Sequence, residues 1–267
     1  MGAREGAGRH VVVNFESFGM TDRGLRRHHN EDQFLVRDEL GLYVVADGMG
    51  GHAAGEVAAD LAVREVERVI EATRNYGGDT WPEDWDPKLD LSANRLVRAI
   101  TSAHRRVTAA VDGDSGLRGM GATIVVALID WAHQEMTLGH VGDSRAYLLR
   151  DGVMEQLTAD HSWVHEQVLA GLLSEDAART HPLKNVVTRA LGGAQEPVVD
   201  IGSHKLNPGD QFLLCSDGLN TMLSDEEIHA VVNRGADVTR TVHQLVAEAN
   251  RKGGLDNITV VLARSRS

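Results

Sequence analysis

The sequence predicts an α+β fold of antiparallel sheets with helices packed outside them. Short β-like runs bounded by Gly, Asp or Asn recur along the chain, and several arrive in clusters rather than singly. Amphipathic helical patterns lie between the clusters. Tight turns such as Arg150-Asp151-Gly152 join neighbouring runs, which favours antiparallel pairing over a regular doubly wound parallel sheet.

In chain order, the β-like runs are HVVVNFESFG (10–19), QFLVRD (33–38), GLYVVAD (41–47), ATIVVALID (122–130), EMTLGHVG (135–142), RAYLLRDG (145–152), DQFLLCSDG (210–218) and NITVVLAR (257–264). A helix is predicted over 54–73, where Ala58, Ala62, Val66 and Ile70 repeat on one face with charges opposite. Leu96, Ile100 and Val107 do the same over 92–111. Two more helices are expected at 224–233 and 236–250, the latter with Val238, Val242, Leu245 and Ala249 on one side. Residues 74–91 carry Gly-Gly, Trp-Pro and Asp-Pro in an acidic context between two helices, and read as a surface insertion rather than a domain boundary. With no internal repeat, residues 1–267 are expected to form one domain.

Composition narrows the function classes. A formal net charge of −12 argues against nucleic-acid binding, which needs a basic surface to replace phosphate counterions. The single Cys215 excludes an internal disulfide and a cysteine-rich zinc site, and within QFLLCSDG it reads as a buried, inert thiol. No apolar run approaches the roughly 18 residues of a membrane helix, and MGAREGAGRH lacks a signal-peptide core. Gly6 stands where a myristoylation signal needs Ser or Thr. The expectation is a cytoplasmic monomer with neither nucleic-acid nor membrane partners.

The acids fall in a pattern. Glu31 and Asp32 precede QFLVRD, Asp47 ends LYVVAD, Asp143 ends LGHVGD, Asp217 ends FLLCSD and Asp256 opens NITVVLA. Any one of these reads most simply as a turn or cap residue. If their strands lie side by side, the acids converge on one sheet edge and repel one another strongly unless hard divalent cations are bound. Oxygen-only donors point to Mg²⁺ or Mn²⁺, and a glycine after the acid, Gly48 after Asp47, lets a backbone carbonyl reach a cation as well. The glycines of VVADGMGGHAAGE (44–56) also fit a phosphate-cradling loop opening a helix, but the Lys-Ser/Thr ending of a nucleotide loop is missing. The thirteen histidines show no metal-binding helix spacing.

RRHHNED, VVADGMGGHAAGE, MGATIV, GHVGDSRAYLLRDG, LTADHS, CSDGL and DNITVV occur here in the order found in the PP2C (PPM) family of metal-dependent Ser/Thr protein phosphatases. From about residue 14 to residue 264 the chain resembles a compact bacterial-type member of that family. The resemblance implies a central antiparallel β-sandwich flanked by helices on both sides, a four-layer αββα arrangement with a two-metal site at one end. It implies that Asp47 bridges both ions, that Asp217 and Asp256 complete one, and that the Gly48 carbonyl helps to hold the other. Glu31 and Asp32 would act mainly through metal-bound water, with Asn257 supporting them. Asp143 matches the acid of a third, weaker metal, Arg27 the phosphate-binding arginine, and residues 162–190 a flap beside the site.

The implied reaction is hydrolysis of phosphoserine and phosphothreonine monoesters by hydroxide bridging the two metals, opposing a Ser/Thr kinase on its phosphorylated protein substrates. Arg27 would clamp phosphoryl oxygens with its planar fork. His52 is the candidate proton donor to the leaving alkoxide, although here Met49, Gly50 and Gly51 separate it from Asp47-Gly48, unlike in the animal enzymes. His161 is a candidate substrate contact at the base of the flap. The alternative is a non-catalytic binding or sensor module on the same fold, which would be expected to lose metal acids; all of the expected ones are present.

Overall fold

A computed structural model describes residues 14–51, 53–76, 85–235 and 237–266. His52 and positions 77–84 of the expected insertion lie outside the described residues, as does the start of the first predicted strand. Among the described residues, two five-stranded sheets form, and every neighbouring pair of strands is antiparallel. The first runs in the order β1 (Asn14–Asp22), β10 (Ile258–Arg266), β9 (Gln211–Cys215), β6 (Arg145–Arg150), β7 (Val153–Gln156). The second runs β2 (Asp32–Arg37), β3 (Leu42–Met49), β4 (Gly121–Asp130), β5 (Glu135–Val141), β8 (Asp200–Lys205).

The two-residue period of a strand sorts the side chains into three layers. On β3, Tyr43 and Val45 join Phe15, Phe212, Leu214, Val261 and Ala263 between the sheets. The alternate residues Leu42, Val44 and Ala46 face helices α1 (Ala53–Ala72) and α2 (Leu91–Gly113), whose Ala58, Ala62, Leu96 and Ile100 complete an outer core. On the far side, α5 (Asp217–Asn220), α6 (Asp225–Arg234) and α7 (Val238–Arg251) pack Leu219, Ile228, Val242 and Leu245 against Leu213, Val260 and Leu262. The expected αββα sandwich is the observed one. Cys215 is buried within the outer layer, and burial pushes its thiol up to about 12, as an inert core cysteine requires.

Local chemistry marks where elements begin. The Asp90 carboxylate accepts the Ala93 N–H at 2.8 Å to cap α2, and Ser224 with Glu227 forms a capping box on α6. Asp151 and Gly152, both at positive φ, make a two-residue hairpin from β6 to β7. Strands β7 and β8 and the short helices α3 (Trp163–Leu169), α4 (Glu175–Thr180) and α5 lie outside the predicted set. Their segments are short or carry few apolar residues, so periodicity has little to register.

The same alternation continues past the apolar layer into a polar one. On β3, Asp47 follows Tyr43 and Val45; on β2, Asp32 precedes Phe34 and Val36 on the same face. Ser216 follows Phe212 and Leu214, and Thr259 precedes Val261 and Ala263. The space between the sheets therefore ends in carboxylates and hydroxyls.

Candidate metal centre

Strand register assembles the acids. Asp32 and Asp47 are direct cross-strand partners on β2 and β3. Antiparallel pairing of β9 with β10 brings the end of one beside the start of the other, placing Asp217, at the start of α5, near Asp256, just before β10. Asp143 sits in the turn from β5 to β6. The charges of Asp32, Asp217, Asp143 and Asp256 all act on Asp47, so the five aspartates singled out from the sequence form one cluster.

Burial and mutual repulsion dominate its electrostatics. Loss of solvent raises Asp47 well above the ordinary carboxylate range, and its four acidic neighbours add to the shift. Asp32 rises to about 7 through burial, despite two hydroxyl donors that favour its charged form. Asp143 rises to about 7 through burial and the charge of Asp217, and Asp217 to about 6 through burial and the charge of Asp256. Asp32 Oδ1 and Asp217 Oδ1 are buried without a hydrogen-bond partner. Mutually repelling hard oxygens, two of them buried and unpartnered, are donors suited to a divalent cation, so these residues fit Mn²⁺ or Mg²⁺.

The chain around the cluster is tightly fastened. Asn257 Oδ1 accepts the Glu31 N–H at 2.8 Å, and its amide nitrogen donates to the carbonyls of Arg23 and His29, each at 2.9 Å. Asn257 thereby ties down the segment carrying Arg27 and Glu31. A Cβ at Gly48 would fall on the Gly55 carbonyl and 2.6 Å from the Glu31 carbonyl oxygen, so only glycine lets β3 approach both segments. The Glu31 carboxylate fills the space a side chain at Gly55 would need. Arg27 donates to Asp256 Oδ2 at 2.6 Å while its side chain remains 53% exposed, leaving the guanidinium at the rim of the cluster.

The two histidines fare differently. His52 lies outside the described residues. His161 is buried, its Nδ1 accepts the Gly142 N–H at 3.0 Å, and its Nε2 lies 3.1 Å from Asp200 Oδ2. With both ring nitrogens engaged and the ring stacked on His140 at 4.6 Å, His161 has no nitrogen to offer a substrate and instead braces the turn that carries Asp143. Burial also lowers its pKa. His140, His161 and Asp200 bring ligand-type atoms within 4.8 Å of one another. However, Arg189 donates to Asp200 Oδ1 at 2.9 Å and sets its positive charge beside the group, which reads as a hydrogen-bonded brace.

Two features escaped the sequence reading. The first is a forked ion pair, Arg145 to Asp160, at 2.9 and 2.7 Å beside Asp143. The second is a pair of hydroxyls, Ser216 and Thr259, on Asp32. A hydroxyl residue immediately before Asp217 and another three after Asp256 were the available signals. From Asp143 and Asp217 a cleft of about 600 Å³ opens toward α3 and α4, walled by Val164, Leu169, Arg179 and Lys184.

The comparisons follow the same lines. The family model described as Protein phosphatase 2C matches residues 25–258. Serine/threonine phosphatase stp of Listeria innocua is 38% identical over 245 residues, spanning 91% of this chain and 92% of that protein. Serine/threonine protein phosphatase PstP of Mycobacterium tuberculosis is 38% identical over 244 residues, 91% of this chain but 43% of its own length. A solved structure of the PstP catalytic domain in complex with two manganese ions matches with a TM-score of 0.81 at 34% identity, covering 96% of this chain and 99% of that one. Sequence model, full-length relative and solved fold agree across the segment that builds the acid cluster, and the chain belongs to the protein phosphatase 2C family.

Proposed function

We propose that this chain is a metal-dependent protein phosphatase that hydrolyses phosphoserine and phosphothreonine monoesters. The observation that carries this reading is the convergence of Asp32, Asp47, Asp143, Asp217 and Asp256 at one end of the sandwich, with two buried carboxylate oxygens unpartnered. In the proposed assignment Asp47, Asp217, Asp256 and the Gly48 carbonyl would hold two cations, with Asp47 common to both. Glu31 and Asp32 would act mainly through metal-bound water, and Asp143 would hold a third, weaker ion. When bound, the cations supply Lewis acidity: they lower the pKa of water and neutralise the phosphoryl oxygens.

The chain's own residues supply recognition and proton traffic. Arg27 is proposed to fork onto two phosphoryl oxygens; its exposure beside Asp256 supports this. The cleft of about 600 Å³ beside Asp143 and Asp217 is the proposed seat for the peptide around the phosphorylated residue. His52 is the proposed donor of the proton that the leaving serine or threonine oxygen requires. Retention of every expected metal acid favours this reading over a non-catalytic module on the same fold.

The relatives' naming as serine/threonine phosphatases supports a place opposite a Ser/Thr kinase, acting on phosphorylated proteins. We further propose a cytoplasmic monomer; among the described residues no helix is long and apolar enough to cross a membrane. Phosphate release from a phosphothreonine peptide in Mn²⁺ tests the activity. The intact protein is expected to turn over and Asp217→Asn to lose turnover, whereas an equally active variant would remove Asp217 from the site.

A further inference from the structure

The acids of the centre are divided between the sheets. Asp32 and Asp47 belong to the second sheet, whereas Asp217 and Asp256 border β9 and β10 of the first. A cation shared between the two groups fits only if the sheets end at the right separation. Apolar packing sets that separation along most of the interface, but at this end the layer is polar and hydrogen bonds must set it.

Those bonds form a directed ring. Thr259 Oγ1 donates to Asp32 Oδ2 at 2.6 Å, and Ser216 Oγ donates to the same oxygen at 2.7 Å. Because the Thr259 proton is used on Asp32, its contact with Thr21 Oγ1 at 2.7 Å requires Thr21 to donate. Thr21 in turn accepts from Asn30 Nδ2 at 2.9 Å, and Asn30 Oδ1 accepts the Asp32 N–H at 3.2 Å, closing the ring. Ser216 also accepts the Thr259 N–H at 3.0 Å, joining the end of β9 to β10. Asp32, Ser216 and Thr259 are all buried, so neither hydroxyl has a solvent alternative. With Oδ2 taken by two donors, the unpartnered Oδ1 is the oxygen that Asp32 has left to offer the centre.

We propose that Thr259 and Ser216 are positioning residues for the metal centre: their hydroxyls latch Asp32 of one sheet to β9 and β10 of the other and preset the cation-binding separation. The latch touches neither substrate nor the reacting atoms. It acts by sparing the cation the work of drawing the sheet ends together, as outer-shell hydrogen bonds do for metal ligands elsewhere. The inference rests on the metal-centre reading above.

The test is calorimetric titration of Mn²⁺ alone into chelator-stripped full-length protein, for the wild type, Thr259→Val, Thr259→Ser and Ser216→Ala. Thr259→Val keeps the volume and removes the hydroxyl, whereas Thr259→Ser keeps the hydroxyl and removes a methyl. The expected result is a Kd about 10- to 100-fold weaker for Thr259→Val, with Thr259→Ser within about threefold of wild type. Ser216→Ala, whose hydroxyl makes no cap bond to α5, is expected to weaken binding in the same direction and tests the latch independently if Thr259→Val does not fold. Circular dichroism verifies the folded state of each variant. A folded Thr259→Val or Ser216→Ala protein with wild-type Kd overturns the latch alone, as does Thr259→Ser failing as badly as Thr259→Val. A wild-type protein that binds no Mn²⁺ overturns both the latch and the metal-centre reading.

Discussion

Asp217 stands at the start of α5 with one carboxylate oxygen buried and unpartnered, next to Asp256 and Asp47. In the cation-free protein its charge costs stability. Asp217→Asn is therefore expected to raise the chelated protein's Tm by about 2–4 °C, the shift that about 1 kcal/mol produces in a chain of this size. The same variant should lose the Tm gain from Mn²⁺, and thermal melts with and without the ion check both. Arg27 makes the complementary case, since its guanidinium is exposed and, among the described residues, hydrogen-bonded to Asp256. A charge-assisted hydrogen bond of about 1.5–3 kcal/mol implies that Arg27→Ala raises KM for a phosphopeptide roughly 10- to 100-fold with little change in kcat, as steady-state kinetics would show. The acids were legible because each ends or opens an apolar run. The Ser216 and Thr259 hydroxyls were not, because one precedes Asp217-Gly218 as ordinary turn chemistry and the other sits inside an apolar strand; only the register of β10 with β9, which sets them side by side, and the packing of the two sheets, which brings both onto Asp32, reveal their role.

At the scale of elements, the segment from Arg23 to Glu31 has no regular structure; the Asn257 side chain fastens both its ends, and the N–H groups of Leu25 and Arg26 bond the Gly254 carbonyl. Truncation at that position removes three hydrogen bonds from a buried side chain and leaves their partners unmatched. Asn257→Ala is expected to cost about 1–3 kcal/mol in denaturant unfolding and to raise KM as well, because the side-chain anchor at both ends of the Arg27 segment is lost. An unchanged KM in a destabilised variant would mean that Arg27 is placed by other contacts. Helices α1, α2, α6 and α7 were legible because each buries one face against a sheet, which writes a clean period into the chain. By contrast β7 exposes Val153, and β8 is an edge strand carrying Asp200, Ser203, His204 and Lys205, so neither bears the alternation by which a strand is recognised.

The whole molecule is a sandwich closed at one end by mutually repelling acids, and this gives it a pH dependence of definite sign. Asp32 and Asp143 lie at about 7 and Asp217 at about 6 in the folded, cation-free state. Unfolded carboxylates titrate near about 4, so the folded chain binds more protons between about pH 4 and 7. The stability these groups contribute is therefore present below about pH 4 and lost as pH rises through 6 to 7. His104, His161 and His204 are lowered by burial and act in the opposite sense. The Tm gain on adding Mn²⁺ is accordingly expected to be larger at pH 8 than at pH 5.5, and scanning calorimetry at the two values compares them directly.

The central claim is that the acid cluster between the sheet ends is a divalent-metal centre for phosphomonoester hydrolysis. Its most direct test is phosphate release from a phosphothreonine peptide by EDTA-treated protein as Mn²⁺ is titrated back. The structure predicts no turnover in chelator and full recovery on saturation with the ion; undiminished turnover in EDTA would contradict it.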